Sequence, residues 1–262
     1  MKIIFADGGL TLEAESGIAV VTLNNPGKRN AVNRAMWLAL QPVFDAIEHD
    51  RDILATIVTG AGTHFAAGAD ISELEGAFAD PDSAALSYHA IVEGLEAITR
   101  SSKPVIAAIE GVCIGGGVAI ALACDIRFSS AASRFATTPA KLGFIYPISA
   151  TQQLVRTIGV SRASRLLFTG RQFDAQAALA MNMVDEVVPP GEAFAAAWRE
   201  AREIAAVSQF SVRASKSVLR GIAGERPLPA TDALLRDIVQ GADFREGSAA
   251  FIAKRAPCFT YR

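Results

Sequence analysis

The chain has 262 residues, 51% of them hydrophobic and 20% charged, with a formal net charge of −2. That is enough apolar material to bury a substantial core, in one large domain or a domain with an appendage. The near balance of charge and the lack of a basic block argue against nucleic acid or an anionic membrane as the main partner. Residues 1–9 contain one lysine and no sustained apolar core before a small-residue cleavage site, and no uninterrupted apolar run approaches about 18 residues, so a cytoplasmic location is expected. Residues 10–15 and 17–24 alternate or run apolar around Ser16-Gly17 and read as a β-hairpin. After Asn24-Asn25-Pro26-Gly27, Asn33 is placed to cap a helix whose Met36, Leu40, Val43, Phe44 and Ile47 recur at helical spacing, and residues 53–59 return as a strand.

The sequence Asp80-Pro81-Asp82-Ser83 interrupts the next polar stretch and is expected to form a loop. Residues 84–99 then carry Leu86, Ile91, Leu95 and Ile98 at helical spacing, ahead of a strand at 105–109. A further strand is expected at 125–129, and helices at 149–158, 161–168, 175–181, 192–207 and 209–220. Strands early and helices late predict an α/β fold, with a core of repeated β-β-α units over residues 1–190 and a helical C-terminal region over 191–262. Cys113, Cys124 and Cys258 lack metal-ligand spacing and the first two lie in apolar surroundings, so reduced buried thiols and no metal site are expected.

Two segments carry the chemistry. In Ile109-Glu110-Gly111-Val112-Cys113-Ile114-Gly115-Gly116-Gly117-Val118-Ala119, an apolar strand breaks into three glycines that open an apolar helix. Such a turn brings backbone N–H groups close to a ligand, and the helix N-terminus adds unpaired donors and partial positive charge. Neither a dinucleotide fingerprint nor a Walker loop is present, which favours an oxyanion over a phosphate. A tight turn needed only for packing is the alternative. The segment Thr63-His64-Phe65-Ala66-Ala67-Gly68-Ala69-Asp70-Ile71 follows another strand and offers a second small-residue donor loop, so a two-pronged hole is expected.

Over nearly its full length the chain resembles the crotonase superfamily, the enoyl-CoA hydratase/isomerase family. The resemblance rests on Leu23-Asn24-Asn25-Pro26-Gly27-Lys28-Arg29-Asn30-Ala31, Phe65-Ala66-Ala67-Gly68-Ala69-Asp70-Ile71, Lys103-Pro104-Val105-Ile106-Ala107-Ala108-Ile109-Glu110-Gly111 leading to Gly115-Gly116-Gly117, and Leu122-Ala123-Cys124-Asp125-Ile126-Arg127. Further matches are Leu167-Phe168-Thr169-Gly170-Arg171 and the stretch from Phe244 to Arg255. The resemblance implies a crotonase fold with a spiral core. It also implies that the backbone N–H groups of Ala69 and Gly116 hold the thioester oxygen of an acyl-CoA while an enolate forms. Coenzyme A enters as part of the substrate, with no prosthetic group, its adenine near Ala66, Ala67, Ala69, Asp70 and Ile71. Lys28 and Lys254 match positions that place cations near the CoA phosphates, the second from a neighbouring subunit. A homotrimer or a dimer of trimers is likewise implied, with residues 191–262 as the trimerisation region.

The two glutamates of family hydratases fall here on Ala119 and Pro139, and neither side chain moves a proton. The positions used by single-glutamate isomerases hold Pro139 or lie in Tyr146-Pro147-Ile148. The loop from Phe135 to Tyr146 and the stretch from Asp243 to Arg255 are instead similar to methylmalonyl-CoA decarboxylase. Loss of carbon dioxide leaves an enolate and asks more of an oxyanion hole than of a base. The expectation is therefore a decarboxylase or other non-hydratase lyase or isomerase, with Tyr146 orienting a carboxylate or returning a proton; simple packing of its ring is the alternative. A hydratase with displaced acid/base groups and an acyl-CoA-binding scaffold without turnover are the rival readings. Glu73, Glu75, His89 and Glu93 are further candidates in the variable helix after the first donor loop, against a solvated helix face. His49 and His64 are expected at surface or turn positions, and Asp70 and Asp125 as loop braces.

Overall fold

A computed structural model of the chain describes residues 2–77 and 80–261, apart from the side chains at 74, 75 and 77. Three strands, β1 (Lys2–Phe5), β2 (Leu10–Glu15) and β3 (Ile18–Leu23), form an antiparallel meander. The expected hairpin pairs Leu10 with Leu23 and Glu15 with Ile18. It turns at Ser16 (φ +52°) and Gly17 (φ +81°), the two left-handed residues a tight two-residue hairpin needs. Helix α1 (Arg34–His49) starts as expected at Asn33, whose Oδ1 accepts from the Met36 N–H at 2.8 Å. Strand β4 (Ala55–Gly60) runs parallel to β3.

Helices α2 (Ile71–Ala77) and α3 (Pro81–Arg100) follow. The expected loop at 80–83 is instead the start of α3. Asp80 Oδ1 accepts from the N–H groups of Asp82 and Ser83, and Pro81 fits a first helical position that has no use for an N–H. Then come β5 (Val105–Ile109), β6 (Val112–Ile114), α4 (Gly116–Ala123), β7 (Ile126–Ser130) and β8 (Arg134–Ala136). The chain ends with α5 (Ile148–Ile158), α6 (Val160–Thr169), β9 (Phe173–Asp174), α7 (Ala175–Ala180), β10 (Glu186–Val188), α8 (Ala193–Ala205), α9 (Gln209–Ile222), α10 (Thr231–Gln240) and α11 (Ala242–Ile252).

The main sheet has the order β1-β2-β3-β4-β5-β7-β10, and β6-β8-β9 form a second, smaller sheet. Single bridges from Val32 to Ala69 and from Ala66 to Cys113 continue that second layer. The successive turns that begin with β3, β4, β5 and β7 each lay a strand in the main sheet, a short pairing in the second layer and then a helix, the expected β-β-α spiral. Strand β5 shows how the layers stack: Val105, Ala107 and Ile109 join the core beneath α1, α3 and α4, while Ile106 and Ala108 face the opposite core. That opposite face is covered by α8 through Ala193, Ala196, Ala197 and Ala201, all buried. The helical segment beyond residue 190 therefore begins with a layer of the sheet core. Its alanines allow the helix axis to lie close to the sheet. Among the described residues no helix is long and apolar enough to cross a membrane.

Candidate active site

The glycine run uses its three glycines differently. Gly115 has φ +51° and ψ −111°, a backbone closed to side-chain-bearing residues, and this turns the end of β6 into α4. A Cβ on Gly116 would stand 2.9 Å from Trp37 Cζ2 and 3.3 Å from the Ala69 nitrogen; one on Gly117 would stand 2.5 Å from the Ala66 carbonyl oxygen. These two positions are glycine because the first donor loop and α1 press against them. Helix α4 is buried from Gly117 through Ala123, so it is apolar on all sides.

The first donor loop is held by its own backbone. Val32 N–H donates to the Gly68 carbonyl at 2.7 Å and Asp70 N–H to the Val32 carbonyl at 3.0 Å. The Ala69 N–H between them is left over, and so is the Gly116 N–H at the start of α4: among the described residues neither has a partner within the chain. Gly68 (φ +103°) completes the approach, since a Cβ there would be 3.0 Å from the Ile114 carbonyl oxygen and 3.5 Å from the Gly116 nitrogen. Two spare donors on facing loops, one at a helix N-terminus, suit an oxygen that gains negative charge.

Asn30 is the hub of these loops, and inspection of the sequence missed it. It is fully buried at φ +57°, a backbone that asparagine tolerates, and accepts from Asn25 N–H while donating to the Ala61 and His64 carbonyls. Its place inside the Lys28-Arg29-Asn30-Ala31 motif was the available signal. Trp37 was also missed, because it lies beside the regular apolar stripe of α1. Its indole sits between α3, at Gly94, and the N-terminus of α4, at Gly116.

Asp70 accepts from Ser72 N–H and Oγ and pairs with Lys28 Nζ at 2.6 Å. Burial alone would raise its carboxyl, but the bonds from Lys28 and Ser72 outweigh that and hold it below the usual carboxylate range. Lys28 also donates to Ser72 Oγ at 2.7 Å, so this cation is tied to the first donor loop. The N–H groups of Ala66 and Ala67 are taken by the Val112 and Arg29 carbonyls, and Ile71 is exposed at the start of α2. Lys254 is exposed beyond α11 and forms no ion pair among the described residues.

Ala119 is buried one turn into α4, and Pro139 is buried in the segment from β8 to α5. Tyr146 is buried as well, and its hydroxyl donates to the Gly115 carbonyl at 3.0 Å. Burial pushes the Tyr146 phenol well up from its usual value. In this structure the hydroxyl proton is directed to the glycine turn. Glu73 accepts from the Arg34 N–H at the start of α1, and His89 and Glu93 stay exposed on α3. The Glu75 side chain lies outside the described residues. His49 is an exposed end residue of α1, whereas half-buried His64 accepts from the Val112 N–H and braces the two loops. Asp125 is a brace too, joining β5 to α9 through Val105, Lys216 and Arg220.

The family model for enoyl-CoA hydratase/isomerase matches residues 13–262. The chain belongs to the enoyl-CoA hydratase/isomerase family. It is 35% identical over 249 residues to the short-chain-enoyl-CoA hydratase of Clostridium acetobutylicum, covering 93% of this chain and 94% of that one. It is 31% identical over 262 residues to the 2,3-dehydroadipyl-CoA hydratase of Escherichia coli, covering 97% and 99%. A crystal structure of an enoyl-CoA hydratase/isomerase family protein from Hyphomonas neptunium superposes with a TM-score of 0.94 at 40% identity, covering 97% of this chain and 98% of that one. This member of the enoyl-CoA hydratase/isomerase family thus has the crotonase fold and acts on acyl-CoA thioesters.

Proposed function

We propose that the thioester carbonyl of the substrate lodges between the N–H groups of Ala69 and Gly116, and that turnover proceeds through an enolate without a pair of catalytic glutamates. The observation that carries this reading is the pair of N–H groups on facing loops, Ala69 and Gly116, left without a partner among the described residues, in a chain with alanine at 119 and proline at 139. One such donor contributes about 3–4 kcal/mol to barrier lowering, so a pair supports enolate chemistry. With no carboxylate at either glutamate position, a step that makes its own enolate is favoured. In a decarboxylation the electrons of the breaking C–C bond pass into the thioester, carbon dioxide leaves, and water returns a proton to the α-carbon. The reaction class proposed is accordingly decarboxylation or another non-hydratase lyase or isomerase step.

Lys28, the loop from Ala66 to Ile71, and Lys254 from a neighbouring subunit are proposed to receive the CoA moiety, with residues 191–262 building the trimer or dimer of trimers. The names of the relatives favour a second reading, hydration assisted by groups outside the two glutamate positions. Mass spectrometry of the purified protein with crotonyl-, 3-enoyl-, methylmalonyl- and malonyl-CoA separates them. Loss of carbon dioxide is the expected outcome. A gain of water replaces it with the hydratase reading, an unchanged mass with a shifted chromatographic retention marks isomerisation, and tight binding with neither change would leave an acyl-CoA-binding scaffold.

A further inference from the structure

We propose that Tyr146 is a positioning residue that strengthens the oxyanion donor at Gly116 by acting through the Gly115–Gly116 peptide. This rests on the reading of the Gly116 N–H as a donor to the thioester oxygen. The peptide is trans, so its carbonyl and its N–H point in opposite directions from one rigid plane. On the carbonyl side the Tyr146 hydroxyl donates to Gly115 O at 3.0 Å, and the Ala119 N–H donates to the same oxygen at 3.1 Å. On the opposite side the N–H of Gly116 is unused. A hydrogen bond accepted by an amide carbonyl draws electron density from the amide nitrogen, which makes the N–H a better donor.

The same contacts fix where that N–H points. A peptide between two glycines is the one most free to rotate, and here it opens a helix with no side-chain cap. Gly115 N–H donates to the Ala136 carbonyl at 2.8 Å, Tyr146 and Ala119 hold the Gly115 carbonyl, and the edge of the Trp37 indole leaves no room for a Cβ on Gly116. Among the described residues, the Gly116 N–H of this peptide plane is left without a partner. Tyr146 is itself anchored two residues on, where the Ile148 N–H donates to the Tyr88 hydroxyl of α3 at 3.0 Å. Tyr146 thus reaches the reaction without touching the substrate: its buried hydroxyl is turned toward the backbone.

The test uses Tyr146→Phe, which keeps the ring and removes the donor, and a chromophoric thioester, 2,4-hexadienoyl-CoA, whose absorption moves to the red when its carbonyl is polarised. The wild type is expected to red-shift the bound dienoyl thioester. Y146F should bind it with similar affinity and a smaller red shift. With whichever acyl-CoA the wild type turns over, kcat should fall about 3- to 10-fold with KM within about twofold, short of the roughly 100-fold loss on deleting a donor outright. A full red shift in folded Y146F overturns the inference alone, because a purely packing tyrosine would leave carbonyl polarisation unchanged. No red shift in the wild type overturns both the inference and the oxyanion reading beneath it. Replacing Tyr146 by 3-fluorotyrosine keeps the bond and makes the donor stronger, so the test survives if Y146F does not fold. A larger red shift supports the inference, and an unchanged or smaller one overturns it.

Discussion

Gly116 meets two demands at once in the proposed site: its N–H is kept for the thioester oxygen, and any side chain on its α-carbon would press on Trp37 and the Ala69 nitrogen. Gly116→Ala adds a methyl 2.9 Å from Trp37 Cζ2 and 3.3 Å from the Ala69 nitrogen, so the indole or the donor loop has to move. Overpacking of this kind costs about 1–3 kcal/mol of stability, and a misplaced donor costs about 100-fold in turnover. Both are expected here, read by urea melts and by kcat for the substrate that the wild type processes. The double variant Gly116→Ala/Trp37→Phe should regain much of the stability, because the smaller ring makes room. Full activity in a folded Gly116→Ala protein would remove the oxyanion role from this peptide. Little of this crowding was visible in the chain: the glycine triplet and the turn into a helix could be read locally, but the partner of Gly116 lies on α1 and that of Tyr146 lies 31 positions away.

At the scale of elements, α9 is fastened to the spiral core by buried charge. Asp125, just after α4, accepts from Lys216 Nζ and Arg220 Nη2, each at 2.7 Å, and from the Val105 N–H at 2.8 Å; Arg220 continues to Glu225 at 2.7 Å. Burial by itself would raise the Asp125 carboxyl, but the two cations outweigh it and keep it below the normal range. Asp125→Asn leaves a buried ammonium without its counter-charge and should destabilise the fold by about 3 kcal/mol, toward the low end because Asp125 keeps 20% of its side-chain surface exposed. The sign of the pH dependence follows from the lowered value. The unfolded carboxyl titrates near about pH 3.9, so the stabilisation is complete well above that and is lost as pH falls through the folded value. Urea midpoints of the two proteins should therefore differ most at neutral pH and converge in acid; a gap that persists unchanged far below pH 4 would contradict this. The role of Asp125 as a brace was legible from its motif, whereas its partners on α9 were not. The hairpin, α1, β4, β5 and the glycine helix were legible for the same local reasons, being long or punctuated by Asn33, Gly17 and the glycine triplet. Strands β8, β9 and β10 have two or three residues each, too few to display alternation, and exist because neighbouring strands offer them hydrogen bonds.

At the scale of the whole molecule, the last two helices are unfinished as parts of a single chain. None of the residues of α10 is buried, although Leu235 and Val239 are apolar, and on α11 Phe251 is 87% and Ile252 82% exposed. With Phe210, Phe244, Phe259 and Tyr261 these helices border a cleft of about 1240 Å³ at the C-terminal end. Apolar surface on this scale is stable in water when another protein surface covers it, which supports the proposed trimer built by residues 191–262. Size-exclusion chromatography with light scattering should give three or six times the chain mass. Phe251→Asp puts a charge into the covered surface and should release smaller species, with a fall in melting temperature that deepens on dilution, since assembly stabilises by mass action. The activity of that variant reports on Lys254, three residues further on. If Lys254 serves a neighbour's CoA site, dissociation raises KM for the acyl-CoA substrate, and Lys254→Ala in the intact assembly raises it by a similar factor. A wild-type chain that is monomeric at micromolar concentration and fully active would refute both the trimer and the shared cation.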